Sequence, residues 1–425
     1  MEKSVLRQII IDQQGLFGRK EGIIERDIDY DYYLKSDEII VISGVRRCGK
    51  STLLRIIADK TEKKPVFISF DDIRLSAFST SDFEKTEMIL TELFGESSGY
   101  TLFLDEIQNA KSWERWLNNL YTKGIKVFAT GSNAQLLSSE ISTYLTGRNK
   151  VIRLFPFSFK EYLAFKSDRN PESVRMLTSS DKAEIIRLFR EYMVSGGFPV
   201  VIKNDDIRIS GQYFEDIITK DVIVRYRIRD IKELKDLTLY LVSNIGRIYS
   251  YSTLAKVSGL KSLSTIKNYI DHLESVYLLY RVEKFDYSVK KQKVSSSKIY
   301  SGDNSFLTTV SFTFSENSGQ KLENLVYLHL LRRGCEIYYH LNKKECDFVI
   351  KEGIKITEAI QVSVDLSDPD VRKREISGVL EAMDSYSLNS GLILTMETEE
   401  EIIPDENRKI MVIPVWKWML ADYLP

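Results

Sequence analysis

Histidine and cysteine are scarce in this 425-residue chain, with three of each. His272, His329 and His340 offer no zinc spacing, and Cys48, Cys335 and Cys346 form no disulfide framework. A reduced, cytoplasmic setting is therefore expected. Charge of one sign is lacking too. Sixty Lys and Arg oppose 61 Asp and Glu, a net of −1. The whole chain is thus no polyelectrolyte partner for nucleic acid, and any DNA-binding surface must be a local patch. No stretch approaches the ~20 apolar residues that a membrane helix needs, and the apolar run near the N-terminus is too short for a signal-peptide core. A soluble protein with no membrane partner is expected. No internal repeat or extended low-complexity tract stands out.

What is present is ordinary globular composition, 43% hydrophobic and 28% charged, in a length that suits two or three domains. A helical lead-in spans 1–37. Short apolar runs at 39–42, 65–70, 100–104 and 126–130 then alternate with amphipathic stretches such as 83–94 and 112–121, the pattern of a parallel α/β sheet. From 181 to about 283 the pattern is almost wholly helical. Residues 288–320, rich in Ser, Lys and Asn, mark a boundary. A helix over 321–333 follows, then strands at 336–340, 347–351, 354–364, 391–396 and 410–415, with a helix near 369–385. The domain boundaries read as 1–165, 166–235, 236–310 and 311–425.

The strongest motif is Gly44-Val45-Arg46-Arg47-Cys48-Gly49-Lys50-Ser51-Thr52, a match to G-x-x-x-x-G-K-[ST] between a buried strand and a helix. Its glycines let successive backbone N–H groups face phosphate oxygens, and the helix that starts at the lysine adds its positive end. The motif implies ATP, or a close nucleoside triphosphate relative, bound with Mg²⁺. Lys50 would reach the β- and γ-phosphates, and Ser51 would ligate Mg²⁺. About 55 residues on, Thr101-Leu102-Phe103-Leu104-Asp105-Glu106 is an apolar strand ending in two acids. Asp105 suits the Mg²⁺ shell, and Glu106 suits a general base that polarises the attacking water. A further strand ends in Thr130-Gly131-Ser132-Asn133. Ser132 or Asn133 would bond the water or the γ-phosphate, or Asn133 would merely cap the next helix.

With Leu145-Thr146-Gly147-Arg148, the run Pro156–Tyr162, Gly196-Gly197-Phe198-Pro199 and Asp216–Asp221, these motifs resemble the prokaryotic AAA-type ATPases that carry a C-terminal DUF4143 domain. The resemblance implies Walker A, Walker B and sensor-1 roles for the residues above. It also raises Arg148 as an arginine finger, in its own subunit or across a homo-oligomer, against the plainer reading of a surface or salt-bridged arginine.

Residues 236–287 read as a winged helix-turn-helix, with helices at 237–245, 252–258 and 265–275 and a turn at Gly259-Leu260. Ser264, Lys267 and Asn268 fall on the outer side of the last helix. A wing over 280–300 carries Lys290, Lys291, Lys293 and Lys298 with no acid over 290–298, either a phosphate-contacting patch for DNA or a solvated hairpin.

The resemblance further implies a C-terminal PD-(D/E)XK-like nuclease fold. Glu323 suits its helix acid and Asp347 its strand acid, but Gln361 and Ser363 stand where Glu-x-Lys belongs. A degenerate domain, structural or binding a protein partner, is expected, not a nuclease. The fold class is thus α/β multidomain, with an AAA-type parallel sheet, a helical and winged-helix middle, and an α/β C-terminal domain. The function that follows is an Mg²⁺-dependent ATPase whose hydrolysis drives domain rearrangement. The alternative is a DNA-binding regulator or interaction protein with the ATP site as its switch.

Overall fold

The short apolar runs of the first third assemble into five parallel strands: β1 (Ile39–Ser43), β2 (Lys64–Ser69), β3 (Tyr100–Asp105), β4 (Lys126–Gly131) and β5 (Asn149–Arg153), in the spatial order β2-β3-β4-β1-β5. Every residue of β1 and β3 is buried, as in a sheet covered by helices on both faces. The computed structural model describes residues 1–17, 24–131, 145–167, 177–310 and 317–421. Its contacts divide the chain into two units: Met1–Phe155 with Ser275–Tyr277, and Pro156–Glu274 with Leu278–Pro425.

Leu6, Ile9 and Ile10 of the helix Lys3–Phe17 pack onto the first unit's core. Phe17 stacks on Phe67 at 4.2 Å between ring centroids, and Phe103 on Phe128 at 5.2 Å. Truncating one such buried aromatic ring costs about 3–5 kcal/mol. The four expected strands are all present. The fifth, β5, was not anticipated. Its Asn-Lys-Val-Ile-Arg carries polar residues on most positions because, among the described residues, it is an edge strand paired to β1 alone.

The second unit begins with helices. Phe159–Lys166 and Ser179–Ser195 each start on a reciprocal capping box, Ser158 with Glu161 and Thr178 with Asp181. The Gly196-Gly197-Phe198-Pro199 motif has a steric cause. Gly196 has φ +67°, and a Cβ there would lie 1.8 Å from Asp303 Oδ1, while one on Gly197 would lie 2.3 Å from the Phe157 carbonyl. Asp303 fixes the turn by accepting from the Gly197 N–H at 2.8 Å. The Asp216–Asp221 stretch enters a π-helical run, Ile217–Val224.

A helix Ile231–Ser243, strand β6 (Ile248–Tyr249), helices Tyr251–Ser258 and Leu263–Ser275, and strands β7 (Leu279–Glu283) and β8 (Ser297–Ser301) follow in that order. The strands form a sheet ordered β6-β8-β7. Between β7 and β8 lies a helix, Val289–Val294, where a plain hairpin was expected. Its Lys-Lys-Gln-Lys centre is made of good helix formers. Lys290 and Lys291 are exposed on it. Lys298 departs from the expected lysine patch, because it is 1% exposed and ion-paired to acids distant in sequence.

After the helix Ser318–Arg332 comes a six-stranded sheet ordered β13-β14-β12-β11-β10-β9. Its strands are β9 (Glu336–Leu341), β10 (Glu345–Glu352), β11 (Lys355–Val362), β12 (Ser390–Thr395), β13 (Glu400–Asp405) and β14 (Arg408–Pro414). The first three are antiparallel, and β11, β12 and β14 run parallel, with the helix Pro369–Tyr386 crossing between β11 and β12. β13 lies outside the strands expected from the sequence, since its Glu-Glu-Ile-Ile-Pro-Asp is the half-exposed edge that a proline tolerates. Among the described residues no helix is long and apolar enough to cross a membrane.

Candidate functional site

Parallel pairing brings the carboxyl ends of β1, β3 and β4 side by side, with β4 in the middle. The glycine loop leaves β1 there, the two acids end β3, and Thr130 lies near the end of β4. Gly44 is obligatory for steric reasons, because a Cβ would sit 2.0 Å from the Leu154 carbonyl oxygen. Arg47 and Gly49 turn the loop with φ of +73° and +104°, and the helix Lys50–Lys60 starts immediately after. Val45 and Cys48 point inward at 2% and 0% exposure, so they anchor the loop through their side chains. Burial pushes the Cys48 thiol up, which keeps it protonated.

Lys50 is buried, and its ammonium donates to the carbonyls of Gly44 at 3.0 Å and Val45 at 3.2 Å. The cation is thus held across the loop by neutral acceptors, and among the described residues no carboxylate is bonded to it. Ser51 donates to both oxygens of Asp105, at 3.0 and 2.9 Å. Thr130 donates to Asp105 Oδ1 at 2.6 Å and accepts the Glu106 N–H at 2.9 Å. Burial pushes the Asp105 carboxyl above its ordinary range, and nearby Glu106 adds to that, while the hydroxyls of Thr130 and Ser51 and the charge of Lys50 pull the other way. A buried carboxylate beside a serine hydroxyl, with too little positive charge around it, is a donor set that fits a hard divalent cation.

Glu106 follows with φ +49°, a left-handed conformation that costs an L-residue roughly 1–2 kcal/mol and turns its side chain off the strand line. Its carboxylate accepts from the Gln108 amide, whose own carbonyl oxygen is buried with no partner among the described residues. The expected pairing of Lys50, Ser51, Asp105 and Glu106 is therefore seen at one end of the sheet. Ser132 and Asn133 lie outside the described residues.

Arg148 is placed elsewhere. It directly precedes β5, and its carbonyl accepts from Ile39 N at 3.0 Å, at the amino end of β1. The length of β1, about 15 Å at ~3.3 Å per residue, separates it from Gly44. Its guanidinium donates to Asn118 and lies 5.6 Å from the Tyr121 ring centre, beside a cavity of about 780 Å³ lined also by Lys60 and Lys126. A finger on the phosphate of its own subunit is incompatible with that position.

Two contributors were missed. Thr130 signals itself only as a hydroxyl inside an otherwise apolar strand. Arg26, 8% exposed, donates to the Cys48 carbonyl at 3.1 Å and the Phe155 carbonyl at 2.6 Å, tying the loop to the chain beyond β5. Nothing in its local sequence announces this.

Comparison with known proteins agrees with the first unit's architecture. Residues 36–163 match the family model of an AAA domain, and residues 186–317 match a domain of unknown function, DUF8612. The second match is to DUF8612, not DUF4143, so the family resemblance holds for its AAA part. An uncharacterized protein of Methanocaldococcus jannaschii, MJ1544, is 33% identical over 441 residues, covering 99% of this chain and 96% of the relative. An uncharacterized protein of Haemophilus influenzae is 30% identical over 401 residues, covering 91% and 95%. Among solved structures, the Thermotoga maritima RuvB Holliday junction branch migration motor aligns at 19% identity over 66% of this chain and 90% of that one, with a TM-score of 0.29. That likeness is too distant to speak of activity.

Proposed function

The chain belongs to the family that includes MJ1544 of M. jannaschii, with an AAA domain over residues 36–163, and from that premise we propose that it binds ATP with Mg²⁺ and hydrolyses it. The observation that carries this reading is the convergence of Ser51 and Asp105 within 3.0 Å at the foot of the glycine loop, beside a lysine whose ammonium donates to loop carbonyls. Gly44, Val45, Arg46, Arg47, Cys48, Gly49, Lys50, Ser51 and Thr52 would form the phosphate cradle. Ser51 and Asp105 would hold Mg²⁺, which supplies charge that stabilises the phosphoryl oxygens. Glu106 would take the proton of the attacking water, with Thr130 fixing the backbone from which it projects. Asn133 is proposed as the polar partner of that water. Arg148 is proposed for the trans role alone, across a homo-oligomer.

Titration calorimetry with MgATP tests this. Wild-type chain should show one site, and Lys50→Ala should lose it. Equal binding by both would end the proposal.

A second reading concerns the middle of the chain. The order helix, strand, two helices and two further strands over 231–301 supports a winged helix, and Ser264, Lys267 and Asn268 are exposed on the helix Leu263–Ser275. With Lys290 and Lys291 exposed nearby in sequence, and Lys293 between them and β8, a DNA backbone contact is proposed, driven by counterion release. Within the first unit, the Tyr277 hydroxyl lies 2.7 Å from Ser43 Oγ, next to Gly44. Tyr277 follows the helix Leu263–Ser275 in the chain, which supports coupling of nucleotide state to domain rearrangement. The four-part division at 165, 235 and 310, and a C-terminal domain of PD-(D/E)XK type that serves a protein partner without cutting nucleic acid, belong to the same proposal.

A further inference from the structure

Two local costs meet on one side chain of the first unit. Glu106 takes φ +49°, where the Cβ of an L-residue is crowded by backbone. Two residues on, Gln108 donates its Nε2 to Glu106 Oε2, and its own Oε1 is buried with no partner among the described residues. A carboxylate only accepts, so the amide must present its N–H to it, and that choice leaves the amide oxygen without a donor. A buried acceptor left unpaired works against stability. A methionine at this position would have a similar length and orphan no polar atom.

The backbone around this pair is held by other groups. Ile107 and Ala110, each 1% exposed, sit in the core of the unit. Asn109 Nδ2 donates to the Phe70 carbonyl at 3.3 Å, and Asn109 N donates to the Glu106 carbonyl at 3.1 Å. Glu106 N donates to Thr130 Oγ1 at 2.9 Å. The turn Ile107–Asn109 therefore closes without the Gln108 side chain. What that side chain does fix is the glutamate carboxylate, whose torsions a pinned backbone leaves free.

A general base must keep an oxygen within hydrogen-bond reach of the proton it takes, and a misplacement of about 1 Å costs on the order of 10²-fold in rate. With Oε2 engaged by the amide, Oε1 is the oxygen left to receive a proton. In the hydrolysis proposed above, the water oxygen bonds to the γ-phosphorus and its proton passes to Glu106. The bond to the bridging oxygen breaks, and ADP leaves with the electron pair.

We infer that Gln108 is a positioning residue for this reaction: its amide holds one oxygen of Glu106 so that the other is aimed at the attacking water. This role rests on the nucleotide reading above.

The experiment compares wild type, Gln108→Met, Glu106→Gln and the double variant. Gln108→Asn, which keeps the amide but withdraws it by one methylene, serves where Gln108→Met fails to fold. Titration calorimetry reads the binding of MgATP, of MgADP with beryllium fluoride and of MgADP with aluminium fluoride. Single-turnover kinetics read hydrolysis, and thermal melts read the nucleotide-free fold. Gln108→Met should bind MgATP and the beryllium fluoride complex within about threefold of wild type. It should lose about 10–100-fold in rate, and a similar factor in affinity for the aluminium fluoride complex, which resembles the transition state. In the Glu106→Gln background the same change should cost less than about twofold, because the two residues act as one unit. The nucleotide-free melt should stay within about 4 °C of wild type, since the orphaned acceptor leaves with the amide. Wild type that binds no MgATP removes the nucleotide reading itself and this role with it. Wild type that binds and hydrolyses, with Gln108→Met at the same rate, overturns the role of Gln108 alone. So does full additivity in the double variant, or equal weakening on both fluoride complexes, either of which makes Gln108 a structural residue.

Discussion

Replacing Asp105 by asparagine separates a metal-holding carboxylate from a merely structural one. The side chain is 7% exposed and accepts from Ser51 twice and from Thr130 once. Asparagine keeps Oδ1 for Thr130 at nearly the same place. Its Nδ2 meets Ser51, whose hydroxyl can turn to accept. At most one hydrogen bond is weakened, a cost of about 0.5–1.5 kcal/mol. Removing a carboxylate whose charge burial disfavours offsets part of that. The net change should stay near 1 kcal/mol, about 2–4 °C of melting temperature for a unit of roughly 150–250 residues. Metal binding should suffer more. Loss of a supporting carboxylate costs about 10–100-fold in affinity, roughly 1.4–2.7 kcal/mol. Thermal melts without ligand, and phosphate release measured across an Mg²⁺ series, read the two effects apart. The apo melt should stay within about 4 °C of wild type, while half-saturating Mg²⁺ rises about 10–100-fold. The pH response follows from the same group. The fold binds the Asp105 proton more tightly than the unfolded chain does. Its contribution to apo stability is therefore present at low pH and lost as pH rises through the elevated folded value. Asp105→Asn should flatten that fall. A variant with wild-type Mg²⁺ dependence and a strongly lowered apo melt would refute the reasoning and make Asp105 a structural acid.

Three further outcomes are expected. Glu106→Gln should leave MgATP affinity within about threefold and lower turnover about 10²–10⁴-fold, by single-turnover kinetics; an unchanged rate would remove Glu106 as the base. Gly44→Ala forces a Cβ to 2.0 Å from the Leu154 carbonyl, so it should cost about 1–3 kcal/mol in a denaturant melt and abolish MgATP binding; wild-type behaviour would mean that the loop relaxes freely. Lys290→Ala with Lys291→Ala should weaken retention on double-stranded DNA at 100 mM salt and reduce the slope of log K against log salt by about 2; an identical slope would take these lysines off the DNA.

The sequence by itself determined the features that depend on neighbours along the chain. The glycine loop was legible because a backbone that cradles phosphate needs glycine where side chains would collide, as Gly44 does against Leu154. The inner strands β1, β3 and β4 were legible because burial on both faces demands uninterrupted apolar runs, and edge strand β2 keeps a short apolar run of its own, whereas edge strands β5 and β13 alternate polar and apolar residues and carry no such signature. Lys50, Ser51, Asp105 and Glu106 were named from spacing, but their meeting needs β1 and β3 to run parallel with β4 between them. Only the tertiary structure decided which end of the sheet a residue occupies. Arg148 precedes β5 and so falls at the end opposite the loop. Only it decided, too, that Lys298 is buried, because its partners Glu323, Glu345 and Asp347 lie 25–49 residues away, beyond the reach of any local pattern. Charge counted along the chain gave a lysine patch. Charge counted in space gave an ion pair, since Coulomb attraction depends on distance between atoms and not on separation in sequence.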